Sequence, residues 1–190
     1  MGTLVLTQAI LRYQTRRATD MHTYLNRSAT LAGAVQLERD HDLQYPNAKP
    51  RKVGPCNTYN CHGLSFGARR GSIVEVMQIL EEDDYYEIDV KDVLPGDIAV
   101  YFSTGLTQGS IVGDPEHSGI VLERTQLGSV KILSKWGPGD ERVHFLGECP
   151  YDHQNVGYFR INDRSGPQPG KSVTGRKRPG GRKHAVISAP

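Results

Sequence analysis

The chain has 190 residues, 37% apolar and 23% charged, with a formal net charge of +2 and a mean hydropathy of −0.50. That length suits one compact domain, and the absence of any run of about 18 apolar residues excludes a membrane-spanning helix. The three cysteines, at 56, 61 and 149, are too few, and odd in number, for a disulfide scaffold, so any thiol chemistry falls to one or two positions.

Met1 to Ile10 has no basic lead-in, no long apolar run and no small-residue cleavage site, so no secretory signal is visible. Residues 1–44 read as mainly helical, with Leu25, Leu31, Val35 and Leu37 in irregular apolar spacing and Pro46 and Pro50 closing the region. A loop from Pro46 to Pro55 then delivers the chain to Cys56 and Cys61. A short helix is expected from Cys61 towards Arg70, ended by Gly71. Ser72 to Glu82 is the clearest helix: Ser72 and Glu75 make a capping-box pattern, and Ile73, Val76, Met77 and Leu80 share one face.

Beyond Asp84 the pattern changes to strands. Tyr86 to Val90 alternates, Pro95-Gly96-Asp97 makes a turn, and Ile98 to Phe102 is a short apolar run. His117 to Glu123, Val130 to Ser134 and Tyr158 to Ile161 complete the strands. Helices followed by an antiparallel meander define an α+β fold. Three regions result: an N-terminal helical region (1–52), a core (53–162) and a basic tail (163–190).

The tail carries a net charge of +6 against −4 for the rest of the chain. It is rich in Gly and Pro and poor in patterned apolar residues, so it reads as disordered. Its cluster from Arg176 to Lys183 could touch an acidic partner, anionic lipid or nucleic acid, but the body is acidic and unlike a dedicated nucleic-acid binder.

Chemistry concentrates around Asn60-Cys61-His62-Gly63. A thiol at a helix N-terminus faces unpaired amide groups that favour thiolate and can hold an oxyanion, and Gly63 would let a substrate backbone come close. A thiolate needs a partner base, and His117, opening a strand, is the leading candidate. The base in turn needs an orienting group, which Ser134 on the next strand supplies. Trp136 is a core or cleft-wall aromatic, and the acidic run Glu81 to Asp84 is a solvated helix end. Cys61, His62, His117, Cys149 and His153 are zinc-ligand types, but no C-x2-C pair accompanies them. No phosphate loop or dinucleotide fingerprint occurs. Neither metal nor cofactor is expected.

These stretches resemble the papain-like cysteine peptidase and amidase superfamily. Asn60 to Phe66 is similar to the nucleophile motif of NlpC-type peptidoglycan peptidases. Leu94 to Phe102, followed by Glu116 to Leu122, resembles two segments of CHAP amidases, and Ser134-Lys135-Trp136-Gly137 resembles the segment of papain whose Asn orients the catalytic His. Together they cover roughly residues 54–137. The resemblance implies a papain-like α+β fold in which Cys61 attacks an amide or peptide carbonyl of a peptide, peptidoglycan or protein substrate, with His117 as its base. Ser134 stands where papain-like enzymes place Asn, so His144 or a backbone carbonyl is an alternative third member. Pro55 replaces the oxyanion glutamine, leaving Asn57, Tyr59 or the Cys61 amide to substitute, with Asn60 beside them. Gly54 to Tyr59 resembles the CHAP nucleophile motif, which makes Cys56 a rival nucleophile. The implied peptidoglycan substrate, without a visible export signal, fits a protein cytoplasmic at synthesis and delivered by a dedicated secretion system or a phage. An acyltransferase or deamidase using the same Cys–His pair, or a catalytically degenerate binding module, are the other readings.

Overall fold

The computed structural model describes residues 13–21, 23–24, 31–51, 54, 56–105, 110–162 and 171–172. In chain order it forms β1 (Tyr13–Gln14), β2 (Asp20–Met21), β3 (Thr23–Tyr24), α1 (Leu31–Gln44), β4 (Lys49–Arg51), α2 (Cys61–Phe66), β5 (Ser72–Ile73) and α3 (Val76–Glu82). There follow β6 (Tyr85–Ile88), a 3-10 turn (Val90–Asp92), β7 (Ile98–Phe102), β8 (Pro115–Arg124), β9 (Val130–Lys135), β10 (Glu141–Phe145), β11 (Val156–Ile161) and β12 (Lys171–Ser172). The fold is mixed α/β, with few helices and one large antiparallel sheet. Its eight strands run in the order β12-β6-β11-β7-β8-β9-β10-β4, and every pairing is antiparallel. Among the described residues no helix is long and apolar enough to cross a membrane.

β7 is buried along its whole length because both faces of the sheet are covered, and a strand so placed reads as a continuous apolar run. On one face Ile98, Val100, Phe102 and Phe159 pack with Val76 and Leu80 of α3, and Leu133 packs with Leu64 of α2. On the other, Ala99, Tyr101, Val121, Ile132, Trp136 and Tyr158 form a second core, packed against Tyr45, Leu146 and Tyr151. Successive strand residues point to opposite faces, so a site built on β8 draws on both layers.

Asp97 fastens the turn that leads into β7. Its carboxylate accepts the Leu94 N–H at 2.7 Å and takes both Nε and Nη2 of Arg160 on β11 at 2.8 Å. Gly96 has a φ of 95°, which glycine adopts without steric cost. The Pro-Gly-Asp turn is therefore a structural clamp between strands.

Several expectations need correction. The N-terminal region is not mainly helical: among its described residues only α1 is a helix, while β1 to β3 are strands. The 49–51 stretch, expected as loop, is strand β4 on the edge of the main sheet, so the sheet reaches back beyond residue 53. The Ser72 to Glu82 helix begins only at Val76. Ser72–Ile73 pairs with Thr23–Tyr24 instead, because Ser72 and Ile73 are buried against other elements and tertiary pairing overrides the capping pattern. α2 ends at Phe66 rather than near Arg70, capped by Gly67. β10 was not expected. In the basic tail, Lys171–Ser172 is a strand paired with β6 rather than disordered; the Arg176 to Lys183 cluster lies outside the described residues, as do Met1 to Ile10 and Leu25.

α1 has little apolar face, and ionic and ring contacts hold it. Arg142, 1% exposed, donates to Asp42 Oδ1 at 2.7 Å and to the Glu38 carbonyl at 3.3 Å. His41 meets the Trp136 ring edge-on at 5.1 Å.

Candidate active site

Cys61 is the first residue of α2, and Asn60 is its N-cap: the Asn60 side-chain oxygen accepts from Gly63 N at 2.8 Å. That oxygen also accepts from Ile73 N, and the amide nitrogen donates to Ile73 O at 2.7 Å. Asn60 is thus committed to fixing the helix start against β5, a capping role rather than a cleft-lining one. Gly63 is required by packing. A Cβ there would lie 1.9 Å from the Gly71 carbonyl oxygen and 3.0 Å from Tyr59 Cβ. The returning loop, not a substrate, occupies the space that Gly63 leaves.

The first turn of α2 is pinned to β8 by a relay. Ser65 Oγ donates to the Cys61 carbonyl at 3.1 Å, and Ser118 Oγ donates to Ser65 Oγ at 2.9 Å. His62 joins this relay with Nδ1 2.9 Å from Ser118 Oγ, and its ring is also hydrogen-bonded to the Pro115 carbonyl. Burial pushes the His62 imidazole down to about 4. His62, whose sequence context assigned it no role, is this structural pin.

The relay sets the Cys61 sulfur against the strand. Pairing of β8 with β9 reaches only as far as Gly119 and Ser134. Just past that point the backbone N–H of Ser118 faces the sulfur, together with those of His62 and Cys61. Burial nevertheless dominates and pushes the thiol up to about 11, against the pull of those amides and of the Lys135 charge. α2 has only six residues, too few for a helix dipole to reverse the cost of desolvating a thiolate. The expected thiolate is therefore a thiol in this structure.

His117 adjoins Ser118 but points to the opposite face, beside its cross-strand neighbour Tyr101. It is fully buried. Its ring lies flat on that of Tyr151, with centroids 3.6 Å apart and planes at 7°, and meets Tyr101 edge-on at 5.1 Å. Neither ring nitrogen has a hydrogen-bond partner among the described residues. Burial, with His62 and His144 nearby, holds the imidazole well below its ordinary value, so His117 is neutral.

Ser134 and His144 come together, but with each other. His144 Nδ1–H donates to the Phe145 carbonyl at 2.9 Å, which leaves Nε2 of this neutral ring as an acceptor. Ser134 Oγ–H donates to that Nε2 at 2.8 Å and accepts from Trp136 Nε1–H at 2.9 Å. Neither sequence-predicted third member is bonded to His117. Trp136 is 1% exposed and packs edge-on against His41, Tyr45 and His144, which makes it a core aromatic.

Tyr59 donates its hydroxyl to Glu141 Oε1 at 2.7 Å, so that donor is engaged away from an oxyanion. Glu141, fully buried, also takes Arg69 through Nε, and through Nη2 at 2.9 Å. Lys135 is buried beside this group, donating to the Gly139 carbonyl at 2.5 Å with its ammonium 5.2 Å from the Tyr59 ring centre. Asn57 and Cys56 are half-buried in the same loop, and Cys56 packs on the Tyr59, Leu64 and Leu133 cluster. All three cysteines are free thiols. Among the described residues, no three His, Cys, Asp or Glu side chains are grouped to hold a metal ion.

Sequence reasoning missed Tyr151, Glu141 and Lys135. Tyr151 lies in a polar stretch without periodicity, and only its packing against His117 reveals it. Compared with family models, curated proteins and solved structures, the chain matches none. The site thus stands on its own geometry: a cysteine at a helix start, beside a strand whose third residue is a buried histidine, in a mixed α/β domain.

Proposed function

We propose that the protein is a papain-like cysteine hydrolase that cleaves an amide or peptide bond, with Cys61 as nucleophile and His117 as base. What supports this reading is one juxtaposition: the Cys61 sulfur faces the Ser118 N–H, one residue beyond an imidazole whose two nitrogens are both unengaged. With the thiol held high and the imidazole low, the resting pair is neutral. His117 then acts during attack rather than before it. The Cys61 Sγ–C bond forms as the thiol proton passes to His117, and negative charge collects on the carbonyl oxygen. In this reading the backbone N–H groups of Cys61 and His62 at the start of α2 receive that charge. Collapse breaks the C–N bond, and His117 returns its proton to the leaving amine. Water next attacks the thioester, giving a proton to His117, and the carboxylic acid leaves as the thiolate recovers that proton.

Peptidoglycan stem peptides and unfolded proteins are the two substrate classes to offer. Incubation with each, followed by detection of new amino termini and by acid-quenched intact mass, tests the reading. The expected result is release of amine and an acyl adduct on Cys61, both lost in Cys61→Ala. Cleavage that persists in Cys61→Ala would overturn it. An amine acceptor replacing water would make the same chemistry an acyl transfer.

One observation favours a second reading. A fully buried His117 and a protonated Cys61 also suit a binding module that has kept the scaffold without the reaction. Full biological effect in Cys61→Ala would select it.

A further inference from the structure

Nothing polar orients His117 among the described residues. Ser134 and His144 satisfy each other, and both His117 nitrogens lack hydrogen-bond partners. The ring is in contact with Tyr101 from β7 and Tyr151 from the β10–β11 connection, with the charges of His62 from α2 and His144 from β10 acting on it and that of Cys61 acting on Tyr151. None of these is a carboxylate. The closest ring contact is Tyr151, stacked 3.6 Å away and parallel to within 7°.

Tyr151 is itself held in place. Its carbonyl lies 3.7 Å from the Cys149 sulfur. The next residue, Asp152, accepts Thr104 Oγ1–H at 2.5 Å and the Gln154 N–H at 2.9 Å. Burial keeps its phenol neutral, so the ring presents an uncharged, electron-rich face. Such a face within about 6 Å of a cation attracts it, most strongly where water is excluded. An imidazolium formed on His117 would lie flat against it.

We propose that Tyr151 is the positioning residue of His117, fixing the imidazole by ring stacking and stabilising the imidazolium formed when His117 accepts the Cys61 proton, the role a polar third member would otherwise fill. This rests on the Cys61–His117 reading above.

The test is the pH dependence of iodoacetamide alkylation at Cys61 in the full chain. A Cys–His pair gives a rate plateau at near-neutral pH, set by the fraction present as thiolate and imidazolium. A lone thiol gives a rate proportional to hydroxide up to its pKa. With Tyr151→Phe the stack remains and the plateau should persist. With Tyr151→Leu it should fall about tenfold, while the high-pH limb, which needs no imidazolium, is unchanged. Tyr151 replaced by pentafluorophenylalanine keeps the shape of a Phe ring but reverses its quadrupole, and should lower the plateau relative to Tyr151→Phe. This comparison decides the matter if the Leu variant does not fold.

A plateau lost in His117→Ala but equal in the Tyr, Leu and pentafluorophenylalanine proteins would overturn the role of Tyr151 and leave the Cys–His pair standing. A wild-type rate with no plateau would overturn the pair and this role with it. A plateau that follows the electron density of the ring supports both.

Discussion

Ser134 Oγ donates to His144 Nε2 across 2.8 Å, so two residues that the sequence offers for one role, orienting His117, are bonded to each other. Trp136 Nε1–H completes the chain at 2.9 Å, and all three side chains are buried. Removing Ser134 Oγ leaves a buried imidazole nitrogen and a buried indole N–H without partners, which costs about 2 kcal/mol. Urea unfolding of Ser134→Ala, His144→Ala and the double variant should show a coupling of about 1–2 kcal/mol. The plateau rate of Cys61 alkylation should stay within about twofold of wild type. A collapse of that plateau in Ser134→Ala would restore Ser134 to the orienting role.

Glu141 is the anchor of the loop leading to Cys61. Burial raises its carboxyl, but hydrogen bonds from Arg69 and Tyr59, with the charges of Arg69 and Arg51, outweigh that and lower it overall. A carboxylate depressed in the folded state contributes stability above its unfolded pKa, lost as pH falls through the folded value. Glu141→Ala should cost about 3 kcal/mol at neutral pH, and its deficit should shrink below pH ~4. Denaturant titrations at several pH values check both, and a constant deficit across that range would contradict the account.

His62 gives the complementary acid limb. Burial takes it from 6.5 to about 4, so the folded state prefers the neutral ring. The unfolded chain takes up the proton first, and stability present above pH 6.5 is lost as pH falls towards 4, by on the order of 3 kcal/mol for this residue. His117 and His144 shift in the same direction. Melting temperature should therefore fall steeply between pH 6.5 and 4, and His62→Gln should flatten that limb. A melting temperature independent of pH over this interval would show that these rings are not buried neutral.

Gly63 admits no side chain. The Cβ of Gly63→Ala would fall 1.9 Å from a backbone oxygen of Gly71, which cannot rotate away as a side chain could. The loop that must move carries Arg69, whose φ of 66° is uncommon for a residue other than glycine. The expected cost is at least about 3 kcal/mol, seen by urea unfolding. A near-neutral Gly63→Ala would mean that this loop is free to shift, and would reopen Gly63 as a point of substrate approach.

The sheet was largely legible because its central strands carry local signals. Ile98 to Phe102 is a continuous apolar run and matches β7 residue for residue, and His117 to Glu123 lies within β8. β4 and β10 were not, since Lys49–Arg51 and Glu141–Phe145 are mostly polar and owe their strand form to neighbours. Ser72 carried a genuine capping pattern that lost to pairing with Tyr24. Within the site, the sequence placed Cys61 at a helix start and His117 in a strand. The partnership of Ser134 with His144, and the stacking of Tyr151 on His117, are contacts between distant residues, and no local pattern encodes them. The amides that favour a Cys61 thiolate go with a helix N-terminus, which a sequence shows, whereas the desolvation that outweighs them depends on the tertiary fold.

The central claim, that Cys61 and His117 act as a proton-sharing pair, is tested most directly by the rate of Cys61 alkylation against pH in wild type and His117→Ala, read by peptide mass. The account predicts a slow, pH-independent plateau near neutrality in wild type, then a rise towards the thiol pKa of about 11. In His117→Ala the plateau should vanish, with the rate falling about tenfold per pH unit throughout. Identical profiles in the two proteins, without a plateau in either, would contradict the claim and leave Cys61 an isolated thiol.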